Sequence, residues 1–251
     1  MTGIVDFPAL FFVFSFFTLW LAAIAGAFFR KKRPLEAGEH ADFNVIQAAT
    51  LTLLGLLIGF TFSMATNRYE QRKTDEEAEA NAIGTEYVRT GLLPDADAAR
   101  VRGLLINYLD QRMRFYTTRD PQELGQINDS TTQLQNQMWS VVQARAVAQP
   151  TAITGLAASG MNDVLNSQGY TQAAWWNRIP FEAWVLLVVI AVGCNLLIGY
   201  GAHRRSILLI VVPLAVSVSF FLIADIDSPR GGLIRVQPRN LEALSQSLRA
   251  H

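Results

Sequence analysis

The stretch GLLIGFTFSMATNRYEQR, Gly55 to Arg72, begins as apolar membrane sequence and ends as charged helix. It contains no proline, and its last glycine is Gly59. A helix without an internal breaker has no local reason to stop at the bilayer surface. The reading is therefore one helix that leaves lipid and continues into water. Beyond Ala65 come Arg68, Arg72 and Lys73, then Asp75, Glu76, Glu77 and Glu79. Arg68 and Arg72 share a face, and Arg72 is spaced to pair with Glu76 at i,i+4. Ala80, Ile83 and Tyr87 supply an apolar edge for packing, so a charged shaft is expected as far as Ile83 or Tyr87.

Working outward, the chain is 51% hydrophobic and only 17% charged. It is too apolar for an ordinary soluble domain and too charged to lie wholly in lipid. Four runs reach membrane length: Pro8–Phe29, Val45–Ala65, Phe181–Tyr200 and Ile207–Ala224. Each is close to the ~20 residues that cross a ~30 Å hydrocarbon core. The first reads as a retained span, because the basic cluster Arg30–Arg33 follows it rather than precedes it. The runs pair into two hairpins with a long polar insert, 67–180, between them and a polar tail, 225–251, after them. That order puts the insert and both chain ends on one side of the membrane and both short loops on the other. The fold class expected is an all-α membrane protein with four transmembrane helices and a helical-bundle insert.

The insert reads as helix almost throughout. Val101, Leu104, Leu105, Tyr108, Met113 and Tyr116 recur at helical spacing. Leu124, Ile127, Thr131, Leu134, Met138, Val141, Arg145 and Ala148 alternate steps of three and four, like a coiled-coil seam. Asp120-Pro121-Gln122-Glu123 starts that helix, with Asp120 as cap and Glu123 placed to reach back to the cap amide. Ile153, Leu156, Gly160, Met161, Val164 and Gln168 mark a further helix, and Leu93-Pro94-Asp95 a break before the first. Trp175 and Trp176 beside Arg178 suit a headgroup anchor. These stripes read first as packing between helices.

The second span carries two stripes. Ala48, Thr52, Gly55, Gly59, Ser63 and Thr66 form a small-residue face that suits either close helix packing or a pore lining. Leu56, Phe60 and Met64 form an adjacent large apolar stripe. Repeated around a symmetric ring, such side chains make a constriction that gates by dewetting. Leu53, Leu57 and Thr61 lie one position away, so the phase of the stripe is open. A basic ring of Arg68 and Arg72 at a mouth would concentrate anions, although a solvated helix face explains them equally. Asn195 and Gln47 read as polar groups that bond neighbouring helices.

Other chemistries find little support. Lys plus Arg, 21, equals Asp plus Glu, 21, so the overall charge points to no nucleic-acid partner. Cys194 is the one cysteine, and His40, His203 and His251 are scattered, so neither a metal centre nor a cofactor is expected. No HExxH, GxSxG or Walker-type loop is present, and the expectation is a protein that is not an enzyme.

The passage LGLLIGFTFSMATNRYEQRKTDEEAEANAIGTEY, Leu54–Tyr87, resembles the second-span exit of bacterial bestrophin-like membrane proteins. That family is distantly similar to the bestrophin anion channels. A second similarity is ADIDSPRGGLIRVQPRNLEAL, Ala224–Leu244, where Asp225, Asp227, Pro229, Gly231, Asn240, Leu241 and Leu244 fit the bestrophin order of acidic residue, proline, glycine and Asn-Leu helix. The resemblance implies a homo-pentamer in which five second spans surround a central pore, with Leu56, Phe60 and Met64 as the hydrophobic neck. It implies small inorganic ions, anions first, as cargo, and the bacterial inner membrane as location. Animal bestrophins bind calcium near the corresponding tail; only Asp225 and Asp227 stand close together here, and no calcium site is expected. The sidedness of the insert stays open. Arg30–Arg33, Arg204 and Arg205 make the short loops look cytoplasmic, whereas the resemblance puts the insert and tail there. The alternative function is a non-conducting, membrane-anchored helical sensor or scaffold.

Overall fold

The computed structural model describes residues 5, 7–36, 38–202 and 207–250; His203, Arg204, Arg205 and His251 lie outside them. Among the described residues the protein is all-helical, without strands. The helices are α1 Pro8–Lys32, α2 Glu39–Arg89, α3 Asp95–Thr117, α4 Pro121–Ala148, α5 Ala152–Trp176, α6 Phe181–Gly201, α7 Leu208–Asp227 and α8 Arg239–Arg249. Four stretches of helix are long and apolar enough to cross a membrane; they contain the first three expected runs, and the fourth starts one residue later than expected, at Leu208.

Helix α2 is one uninterrupted element of 51 residues. That is more than twice the ~20 residues a crossing needs. It runs past the expected end to Arg89, where a short 3₁₀ turn, Thr90–Leu92, leads to Pro94.

The chain forms two compact units. The first comprises the residues up to Tyr69 together with Arg178–Arg235. Here α1 packs against both α6 and α7. Phe11, Leu19, Trp184, Leu187, Ala191, Phe220 and Ile223 make the centre, and α2 adds Leu54 and Ala65 to it. Phe11, Trp184 and Phe220 meet edge-on and stacked at 5.2–6.3 Å. Helices α1 and α6 approach each other closely. A Cβ at Gly26 would lie 2.1 Å from the Leu196 carbonyl oxygen, and one at Gly199 1.9 Å from that of Ala23. Small residues permit such backbone contact in lipid, where dispersion rather than hydrophobicity joins helices. Asn195 bonds its own helix, donating Nδ2 to the Ala191 carbonyl, rather than a neighbouring one as expected.

The second unit comprises Glu70–Asn177 and the chain from Val236 on. Within it α3, α4 and α5 pack in sequence and α8 lies on α3. The α4 seam is close to the expected one: Ile127, Thr131, Met138 and Val141 are buried, and Arg145 reaches Asp97 of α3 at 2.7 Å. Asp120 caps α4 by accepting from the Gln122 amide. Glu123 does not reach back to it. Its carboxylate accepts from Thr118 and Arg114 of the preceding segment, because a guanidinium is the stronger donor. Helix α5 buries the middle of the expected stripe, Gly160, Met161 and Val164, but not its first turn. Ile153 and Leu156 are exposed, while Ala157, Gly160, Met161, Val164 and Thr171 are buried. Only half of the tryptophan pair is free to anchor. Trp176 is exposed, but Trp175 is buried, tilted against Phe115 and edge-on to Tyr116.

Candidate functional site

The membrane portion of α2 has one buried face and one that is largely exposed. Leu54, Thr61 and Ala65 point inward, with Leu57 and Ile58 beside them. On the other side Leu56, Phe60 and Met64 are exposed, Phe60 by 66%. Ala48, Thr52, Gly55, Gly59 and Ser63 are exposed as well. A Cβ at Gly55 or Gly59 would meet nothing within 4 Å. At 100° per residue, the two stripes lie side by side, centred opposite the Leu54–Ala65 face. Close packing of the small-residue stripe against the protomer's own helices is therefore not realised. Of the α2 membrane window only 11% is buried, against 33%, 33% and 50% for the other three spans.

The charged residues past the membrane behave differently from a solvated shaft. Arg68 belongs to the first unit, where it lies 3.5 Å from Asp227. Arg72 belongs to the second and is 1% exposed. Its guanidinium donates to the Ala174 and Asn177 carbonyls at the end of α5, where helix carbonyls lack partners. Both arginines are thus turned into the protomer instead of standing as free charges at a mouth.

Four carboxylates of α2 are buried: Asp75, Glu76, Glu79 and Glu86. Glu76 accepts from the backbone amides of Asn240 and Leu241, at 2.9 and 3.0 Å, and from the Asn240 side chain. It caps the start of α8 with a full negative charge, a site that the helix N-terminus favours. Glu79 pairs with Arg112 of α3, and both side chains are 0% exposed. Tyr116 and Thr171 donate to its second oxygen at 3.1 and 3.2 Å. The Arg112 guanidinium also lies 4.3 Å from the Phe115 ring centroid. Burial works against its charge, but Glu79 and the neighbouring phenol oxygens outweigh this and hold its pKa above the usual value.

The tail motif serves backbone amides. Asp225 accepts from Leu233 and Ile234 at 2.7 and 2.8 Å. Asp227 accepts from Ile179 and lies 3.5 Å from Arg178. Pro229 occupies the turn that follows Asp227, where Ser228 accepts from the Gly231 amide.

Sequence reading missed Glu86 altogether. It is buried, neither of its oxygens has a hydrogen-bond partner, and Gly160 of α5 lies against it. A Cβ at Gly160 would stand 2.0 Å from Glu86 Oε2 and 2.5 Å from Arg89 Nη1. Arg89 in turn lies 3.6 Å from Asp163. Burial pushes the Glu86 carboxyl up to about 8, against the pull of Arg89 and with Asp163 adding to it. The only sequence signal was its i,i+3 spacing to Arg89, which reads as an ordinary exposed pair. Because the folded value exceeds the unfolded value of 4.5, stability from this group is complete below pH 4.5 and lost as pH rises through 8. Glu86→Gln is expected to match the wild-type melting temperature at pH 5 and exceed it at pH 9. The gain, after allowance for water entry, is on the order of 2 kcal/mol. Melting temperatures of both proteins at the two pH values check this; parallel curves would refute it.

Comparison with known proteins bears on the whole chain. The Bestrophin-like domain model matches residues 11–241. The chain belongs to the Bestrophin-like family. Members of this family are membrane-embedded oligomeric ion channels rather than enzymes. No curated protein matches the sequence. Among solved structures, the chain is similar to a bacterial Bestrophin homolog from Klebsiella pneumoniae, with 15% identity over 94% of this chain and 95% of that one and a TM-score of 0.64. A single-site variant of that homolog gives 13% identity, coverage of 95% and 97%, and a TM-score of 0.68. At these identities the likeness is one of fold. The two motifs quoted from the sequence both lie mainly within the matched residues. The structure joins part of one to part of the other, since Glu76 of the first caps Asn240 and Leu241 of the second.

Proposed function

We propose that this protein is a ring-shaped homo-oligomeric ion channel, pentameric and anion-conducting, of the bacterial inner membrane. The path runs along the outward face of α2, with Leu56, Phe60 and Met64 as a hydrophobic neck. The observation that carries this reading is the exposure of that face, whose membrane window is 11% buried within the protomer. Lipid alone would not call for two different textures side by side, a small-residue stripe and a large apolar one. In a ring, the small stripe lets neighbouring α2 helices approach and the large one lines the axis. The family supports conduction as such. Anion preference is supported by resemblance to the bestrophin channels, and not by Arg68 and Arg72, which are engaged inside the protomer.

The test is flux from liposomes loaded with chloride or with potassium, alongside a count of subunits in images of the purified particle. Chloride is expected to leave faster than potassium. Phe60→Ala widens the neck and is expected to raise flux severalfold with no loss of folding, because Phe60 contributes nothing to the protomer core. A folded, twofold particle that passes no ion under any gradient would instead support the sensor or scaffold reading.

A further inference from the structure

Within the first unit, α1, α2 and α6 leave a groove of about 700 Å³ with almost entirely apolar walls. Phe29 of α1, Phe43 and Leu53 of α2, and Val189, Gly193 and Tyr200 of α6 define its course. Its two hydroxyls are already engaged, Thr50 with the Ile46 carbonyl of its own helix and Tyr200 with the Arg33 carbonyl. From Val189 to Tyr200 the α6 wall rises ~16 Å at ~1.5 Å per residue. That is about half of a ~30 Å hydrocarbon core, the depth of one leaflet.

The groove ends at a cluster of cations. Gly26, Phe29 and Arg30 fall on one face of α1, and Arg33 follows as its C-cap, with its backbone N–H donating to the Phe29 carbonyl. Arg30 donates to the Gly201 and Ala202 carbonyls at 2.7 and 3.0 Å, and Tyr200 donates its hydroxyl to the Arg33 carbonyl at 2.7 Å. Residues 30–33 are thus tied to the same end of α6 that closes the groove. Lys31, Lys32 and Arg33 are exposed, and among the described residues no carboxylate pairs with any of them. Glu39 and Asp42 stand nearby in sequence but complement the start of their own helix.

We propose that this groove is a binding site for one acyl chain of an anionic phospholipid, with the lipid phosphate held by Arg33 and Arg30. The argument is the match of three features: an apolar channel, a length of one leaflet, and a cluster of cations without a carboxylate partner at its end. A helix from a second copy of the chain would need no cationic terminus and would run on past it. The site is independent of whether the protein conducts.

Gly193 makes the test clean. A Cβ there meets nothing within 4 Å, so a larger side chain at this position has room to grow into the groove, and Gly193→Leu is the filling variant. The full chain, stripped of lipid in detergent and returned to equimolar phosphatidylglycerol and phosphatidylcholine, is examined by native mass spectrometry. The wild type is expected to retain phosphatidylglycerol at least severalfold over phosphatidylcholine. Gly193→Leu is expected to lose that retained lipid with its melting temperature unchanged. Arg33→Gln is expected to keep a lipid but lose the headgroup preference. Equal retention of the two lipids by the wild type would overturn the proposal. So would undiminished phosphatidylglycerol on Gly193→Leu, or a Gly193→Leu protein that falls into subunits with its lipid complement intact, the result expected of a subunit interface.

Discussion

Replacing Arg112 with methionine is expected to destabilise the protein by about 3–5 kcal/mol, as for other buried ion pairs broken on one side. The size follows from what stays behind. Glu79 would remain in the interior with only the neutral donors Tyr116 and Thr171. Both arginine and carboxylate are 0% exposed, so water cannot take over the lost bonds without opening the bundle. Tyr116 stays a neutral donor, since burial first and Glu79 second hold its phenol far above the usual value. The double variant Arg112→Met/Glu79→Gln removes the stranded charge and should recover at least half of the loss. Circular dichroism melts in detergent measure all three proteins. A single variant within ~0.5 kcal/mol of wild type, the range of ordinary surface changes, would show that the pair is solvated after all.

Adding even one methyl group at Gly199 is expected to prevent the first unit from packing normally. The Cβ of alanine would sit 1.9 Å from the Ala23 carbonyl oxygen. The obstacle is backbone, which has no rotamer to change, so α1 and α6 must move apart. Gly26 makes the reciprocal contact one turn along, at 2.1 Å from the Leu196 oxygen. Separation forfeits the dispersion contacts of the whole helix pair, and a loss of more than ~3 kcal/mol is expected. Gly193→Ala on the same helix meets open space and serves as the control, with unchanged or slightly raised stability. Melting and size-exclusion profiles of the three proteins decide the matter. Equal behaviour of the Gly199 and Gly193 variants would mean that α1 and α6 do not cross this closely.

Several of the four α2 carboxylates show why charge patterns are poor guides to burial. Each lies in a run that reads locally as solvated helix. Glu79 finds its arginine 33 positions away, and Glu76 its amides 164 and 165 positions away. A pairwise electrostatic contact repays the desolvation of a charge only when the partner arrives, and no local spacing announces that arrival. The same holds for Trp175 and Trp176. Adjacent indoles on a helix point about 100° apart, so one is buried against rings and the other is left outside.

What the sequence determined alone is what depends on neighbours in the chain. Run length and apolarity set the four spans, and the absence of a breaker after Gly59 made α2 continuous. The Asp120-Pro121 cap and the α4 seam were equally local. The two stripes of α2 were legible as stripes, but their direction was not, because a helix has several apolar faces and periodicity ranks none of them. Leu54, Thr61 and Ala65 won the interior through their fit to the protomer core, which turned Phe60 and Gly59 outward. Burial is a property of the assembled tertiary structure, set by which surfaces meet, and that is why the outward face of α2 and the unpartnered Glu86 became visible only in the folded chain.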